Sequence, residues 1–171
     1  DVDVLNIDAF NYTNPILERV INKTYLSLIR TTPEVWEYLY DNPAVLRRVQ
    51  RLRELINKHN SEKLKRLIDR FSPDAVVCTQ AFPCGLAAAF KKKYNGKFLL
   101  YAVLTDYIAH SYWFYDSVDY YIVPSEETRD RLIHNGISPE KIKIFGIPID
   151  LKFAKPDAPR DALYKKLGLR R

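Results

Sequence analysis

The chain reads as an α/β protein built on a doubly wound, mostly parallel sheet. Three observations carry that reading. From Ser72-Pro73 onward, short apolar runs alternate with amphipathic stretches, the pattern of strands joined by crossover helices. Gly and Pro punctuate the transitions, at Asn95-Gly96, Asn135-Gly136, Ser138-Pro139 and Gly146-Ile147-Pro148. With 171 residues and 47% apolar composition, the chain can bury one sizeable core.

Taken in order, Val2 to Ile7 alternates apolar and polar positions and reads as a short strand. Asn11 to Pro15 is turn chemistry, and Pro15 suits the first position of a helix carrying Ile16, Leu17, Val20, Ile21, Leu28 and Ile29 at helical spacing. Thr32 caps a second helix with Pro33 at its first position and Val35, Trp36, Leu39 and Tyr40 on its apolar face. Pro43 to Lys58 and Ser61 to Phe71 are amphipathic helices parted near His59 and Asn60. Then follow a strand at Ala75 to Cys78, a helix at Pro83 to Tyr94, strands at Phe98 to Leu104 and Val118 to Val123, a helix at Ser125 to His134, and a strand at Ile142 to Phe145. Beyond Asp150, two prolines and a short helical pattern from Asp161 to Gly168 resemble a linker. Residues 1–150 are thus expected to form one domain, and 151–171 a connecting segment.

The net charge of +6 is unevenly distributed. Ala44 to Phe71 holds nine basic residues (Arg47, Arg48, Arg51, Arg53, Lys58, Lys63, Lys65, Arg66 and Arg70) against three acidic ones, a surplus equal to that of the whole chain. A basic amphipathic stretch is compatible with a solvated helix face, an anionic membrane surface or nucleic acid. Cys78 and Cys84 have no second pair with which to complete a zinc site and read as reduced thiols of a cytosolic protein, so no metal is expected. No apolar run approaches the ~20 residues that span a bilayer, and DVDVLNIDAF lacks the pattern of a signal peptide, so any membrane association is expected to be peripheral.

The chemistry-bearing cluster follows the strand at Leu99. In LLYAVLTDYIAHSYWFYDS an apolar run leads into Asp106, Tyr107, His110 and Trp113. Carboxyl ends of parallel strands face the ligand crevice, which makes these residues candidates for substrate contact. Asp106 can orient an attacking hydroxyl or take its proton, and equally suits a turn or helix cap. His110, four residues on, can pair with Asp106 or serve as a structural hydrogen-bonder. Trp113 and its aromatic neighbours form either core or an exposed wall for an apolar ligand. Gln80 to Leu86 opens a helix after another strand, and its amides are a weak anion-site pattern. No GxGxxG, Walker, HExxH or GxSxG motif is present, so a self-contained nucleotide or hydrolase site lacks support. Pro124-Ser125-Glu126-Glu127 reads as an N-cap with acidic first-turn residues.

Several separated motifs resemble one family. Asp8 to Pro15 (DAFNYTNP), Thr32-Pro33-Glu34-Val35-Trp36, Thr105-Asp106-Tyr107-Ile108-Ala109-His110 with Trp113, Val118-Asp119, Val123 to Glu127, and IKIFGIPID at Ile142 to Asp150 are similar to the N-terminal domain of monogalactosyldiacylglycerol synthases and processive diacylglycerol glucosyltransferases. The resemblance runs in order along nearly the whole chain. It implies the N-terminal half of a GT-B glycosyltransferase, with a Rossmann-like domain that binds the lipid acceptor. The UDP-sugar donor would be bound mainly by a C-terminal domain expected after Arg171, and no cofactor is expected in this half. The implied reaction is inverting transfer of a hexose to diacylglycerol at the inner, cytoplasmic face of a membrane.

Within that resemblance Asp106 and His110 fall in the motif at the interdomain cleft, where they are the catalytic candidates, and Trp113 and Pro15 match acceptor-binding positions; Tyr107 and Phe82 are expected as further acceptor contacts. The anionic membrane surface is the partner expected for Arg47, Arg48, Arg51, Lys58, Lys65 and Arg66, and nucleic acid is not expected. The family's first strand and Gly-rich loop, with a His considered as catalytic base, are expected before Asp1, so the fragment alone is expected to be inactive. Alternatives are a related N-acetylglucosaminyltransferase of peptidoglycan synthesis and a non-catalytic peripheral lipid-binding module.

Overall fold

The computed structural model describes residues 2–9, 12, 63–107, 109–154 and 159–169. The helices expected from Pro15 to Lys58, and with them Pro15, Arg47, Arg48, Arg51 and Lys58, lie outside the described residues. Four strands, β1 (Ala75–Cys78), β2 (Leu99–Val103), β3 (Tyr120–Val123) and β4 (Ile142–Ile144), form a parallel sheet in the order β1-β2-β3-β4. Helix α1 (Ala81–Tyr94) connects β1 to β2, and α2 (Glu126–His134) connects β3 to β4. A short helix α3 (Arg160–Lys166) lies beyond the sheet. The β/α alternation expected from the sequence is therefore observed, with boundaries moved by one or two residues.

Right-handed crossovers between strands laid down in chain order place every connection on the same face of the sheet. Accordingly α1 packs on β1 and β2, and α2 on β3 and β4. Cys78, Ala102, Tyr121 and Ile142 stand in register across the four strands and are all buried beneath these helices. Cys84, Ala87, Ala88 and Phe90 of α1 and Leu132 of α2 complete the core. The opposite face presents Val77, Tyr101 and Tyr120 in register, with the two tyrosine rings stacked at 5.3 Å.

Small residues Gly85, Ala87 and Ala88 are buried on α1 and let the helix lie close to the strands. It ends at Asn95 in the left-handed conformation, with Lys91, Lys92 and Lys93 in the last turn where cations favour the helix dipole. Gly96 follows because a Cβ there would stand 2.8 Å from the Phe98 ring. Residues 63–71 are helical, and Leu64 and Ile68 pack against the core.

One expected element differs. Val2 to Ile7 forms no strand, and Val2 and Val4 are 87% and 76% exposed. Alternation alone does not make a strand, since its backbone groups need a neighbouring edge to bond.

The amino-terminal edge of the sheet is tied by charge. Asp119 accepts the Leu100 amide at 2.6 Å, and Lys91 pairs with the same carboxylate oxygen. Lys141 Nζ donates to the carbonyls of Asp116 and Val118 at 2.9 and 2.8 Å. Desolvation raises the Asp119 pKa, but the Leu100 and Lys91 hydrogen bonds and the charges of Lys91 and Lys141 outweigh it and hold the carboxyl below its usual range. A depressed carboxylate contributes stability above its unfolded pKa of about 3.9 and loses it as pH falls through the lower folded value. Asp119→Asn is therefore expected to be less stable than the parent at pH 7, with the gap closing at acid pH in urea titrations across that range.

Candidate functional site

The carboxyl ends of the strands bring the sequence candidates to one edge. Phe82 follows β1 in the first turn of α1, Asp106 and Tyr107 follow β2, Ser125 follows β3, and Phe145 follows β4. Leu104 donates its amide to the Ile122 carbonyl at 2.9 Å, extending the β2–β3 pairing, so the chain leaves the sheet at Thr105. Leu104 and Ala109 are both fully buried, and between them Thr105, Asp106 and Tyr107 are exposed. The connection from β2 to β3 is thus a loop anchored at two core points that offers a carboxylate and a phenol ring to solvent.

Asp106 organises the loop. Its Oδ2 accepts from the Trp113 indole Nε1 at 3.4 Å and stands 3.5 Å from His110 Nε2. The side chain of Asp106 is 52% exposed and that of His110 18%. The His110 ring meets Tyr112 edge-on at 5.3 Å and lies 6.2 Å from the Trp113 ring. Both polar contacts use Oδ2, so a ligand hydroxyl would bond at Oδ1. The Asp106/His110 pairing read from four-residue spacing is present, and His110 also opens the next turn, its carbonyl accepting the Trp113 amide.

Trp113 occupies a different place from an exposed wall. It is 1% exposed and belongs to the core cluster, and its N–H is directed to Asp106. In this arrangement it braces the carboxylate and has no surface to offer a lipid. Tyr107, at 78% exposure, is the open aromatic group of the loop, and Phe82 is half-buried. Of the basic candidates among the described residues, Arg66 is exposed, whereas Lys65 pairs with Asp69 and lies 5.8 Å from the Tyr94 ring centroid.

Two supports went unread in the sequence. Tyr121, wholly buried in β3, accepts the Tyr115 amide at 3.0 Å, and its hydroxyl proton is shared between the carbonyls of Trp113 and Tyr115 at 3.0 and 2.9 Å. Burial pushes its phenol well above the ordinary value, so it remains a donor. Tyr121→Phe is expected to cost about 1–3 kcal/mol, because the Tyr115 amide would lose its acceptor, and a denaturant titration measures it. The other support is Thr128, which donates to the Tyr107 carbonyl at 2.8 Å. Ser125 forms the expected N-cap of α2, accepting the Thr128 amide at 3.3 Å with Glu126 and Glu127 in the first turn.

Among the described residues, no group of three or more His, Cys, Asp or Glu side chains is arranged to hold a metal ion, and no helix is long and apolar enough to cross a membrane. Cys78 and Cys84 are buried and not joined in a disulfide.

Comparison with known proteins gives three relatives that share one name. The chain is 26% identical over 163 residues to the processive diacylglycerol beta-glucosyltransferase of Bacillus pumilus, covering 95% of this chain and 41% of that protein. The Bacillus subtilis protein of the same name is 25% identical over 162 residues, with the same two coverages. That of Staphylococcus aureus is 28% identical over 156 residues, covering 91% of this chain and 38% of the relative. The chain thus spans about two fifths of the length of these relatives. A solved structure, the lipopolysaccharide outer core galactosyltransferase WaaB, aligns with a TM-score of 0.48 at 19% identity over 60% of this chain and 29% of that one. The family model described as monogalactosyldiacylglycerol (MGDG) synthase matches residues 1–149, and the chain belongs to that family.

Proposed function

We propose that this chain is the acceptor-binding part of a GT-B hexosyltransferase that moves a hexose from a UDP-sugar to the free hydroxyl of diacylglycerol. The observation that carries the proposal is the half-exposed Asp106 carboxylate, held by Trp113 and faced by His110 at the carboxyl edge of the sheet, in a chain of the MGDG synthase family. Transfer requires the acceptor hydroxyl to lose its proton as it attacks the anomeric carbon while UDP departs. A single displacement of this kind inverts the anomeric centre. Asp106 accepts the hydrogen bond of that hydroxyl, orients its lone pair and takes its proton as the bond to the anomeric carbon forms, and His110 keeps the carboxylate turned toward the crevice. Tyr107 and Phe82 contact the apolar part of the acceptor, and Trp113 acts behind Asp106. Donor binding and stabilisation of the leaving UDP fall to the part of the longer protein that lies outside this chain.

The acceptor resides in a membrane, so the protein works at the cytoplasmic surface of a bilayer. The basic surplus between Ala44 and Phe71 draws it there, each Lys or Arg near an anionic surface contributing about 1 kcal/mol. Flotation tests both parts, using phosphatidylcholine vesicles with and without diacylglycerol and with and without phosphatidylglycerol. Recruitment is expected to rise with each additive, and the anionic contribution to fall with added salt. A chain that stays in solution with all four compositions contradicts the proposal.

A further inference from the structure

We propose that Thr128 is a positioning residue that sets the crevice loop for the acceptor, working through a relay of hydroxyls from the N-cap of α2. The role in acceptor binding rests on the function proposed above; the relay itself rests on geometry alone. Thr128 is buried at 1% exposure. A polar group at that depth requires partners, and here the partners assign the protons. The Tyr107 carbonyl has no proton to give, so the Thr128 hydroxyl donates its own at 2.8 Å. Ser125 Oγ stands 3.2 Å from Thr128 Oγ1, whose only proton is already used, so Ser125 donates to Thr128 while accepting the Thr128 amide at 3.3 Å. The result runs in one direction, from the Ser125 hydroxyl through the Thr128 hydroxyl to the Tyr107 carbonyl. Successive hydrogen bonds of this kind polarise and strengthen one another.

The relay joins two segments 21 residues apart, the first turn of α2 and the loop directly after Asp106. The helix turn is rigid: Ser125 caps it, and Leu132 of the same helix lies in the core. Tyr107 is the exposed peak of the loop, so fixing its carbonyl fixes the peptide following its ring and limits how far the adjoining Asp106 can swing. Thr128 touches neither the crevice nor an acceptor. Its effect passes entirely through Tyr107 and Asp106.

The test uses the chain with Thr128→Val, which keeps the shape and removes the hydroxyl, Thr128→Ser, which keeps the hydroxyl, and Tyr107→Ala as a reference. Two readings are taken: the increment in binding to phosphatidylcholine vesicles when dioleoylglycerol is added, and the carbon-13 NMR shift of the Tyr107 carbonyl, the group that accepts the Thr128 hydroxyl. Thr128→Val is expected to lower the increment about fivefold, the scale of one lost buried hydrogen bond, and to move the Tyr107 carbonyl upfield, with Thr128→Ser within about twofold of the parent in binding and unmoved in shift. Circular dichroism checks the fold, and Thr128→Ala replaces Thr128→Val if the latter unfolds. An unmoved Tyr107 carbonyl in the variant lacking the hydroxyl overturns the relay. A moved carbonyl with an unchanged increment overturns the role in acceptor binding. If the parent chain itself shows no diacylglycerol increment, the function proposed above fails, and the carbonyl shift alone decides the relay.

Discussion

Truncating Trp113 to Ala is expected to destabilise the domain by about 3–5 kcal/mol, the usual range for removing a buried indole, and to be read as a lowered urea midpoint. The ring is 1% exposed within the core cluster, so its removal opens a cavity under the loop that carries Asp106. Trp113→Phe separates the two parts of its role. Phe keeps most of the apolar volume and loses the N–H that reaches Asp106 at 3.4 Å. If the proposed function holds, this variant in the longer protein is expected to lower kcat several-fold with little change in KM for diacylglycerol, since the carboxylate is less well held. An acceptor wall would behave in the opposite way, raising KM and leaving kcat in place.

The second large effect is at Asp106. Asn at this position keeps the shape and an acceptor for the Trp113 N–H but loses the charge to which the proposed function assigns the attacking hydroxyl. Turnover of the complete enzyme is expected to fall by about 10²–10⁴-fold, the range for removing a group that acts on the transferred proton. Stability should change by less than about 0.5 kcal/mol, because the side chain is half exposed and makes no core contact that Asn cannot replace. Undiminished turnover in the Asn variant would remove Asp106 from the reaction. Thermal melts of the same preparation distinguish a chemical loss from an unfolding one.

The strands were legible because each is a short run rich in β-branched or aromatic residues bounded by turn chemistry: AVVC, LLYAV, YYIV and IKI. Helix α2 announced itself by Ser125 and the two glutamates after it. Asp106 was legible by position, since its place immediately after an apolar strand leaves only the carboxyl edge of the sheet. The orientation of Trp113 was not. The run Tyr112 to Tyr115 is aromatic at every position, so no period separates an inward ring from an outward one. Its burial is decided by partners distant in sequence, chiefly Tyr121 beneath the turn and α1 beside it. Thr128 was hidden for a similar reason, because one hydroxyl in a polar helical turn gives no local sign that a loop 21 residues earlier will cover it. Val2 to Ile7 shows the reverse case, a correct local pattern with no neighbouring edge among the described residues to complete it.

The most direct measurement of the account is a titration of the isotopically labelled chain with water-soluble dioctanoylglycerol, followed by amide and side-chain NMR shifts. The account predicts saturable changes centred on Asp106, Tyr107 and His110 with a smaller response at Phe82, and their loss in Tyr107→Ala. Absence of shifts at these residues, or saturable shifts confined to the opposite, amino-terminal edge around Lys91 and Asp119, would contradict it.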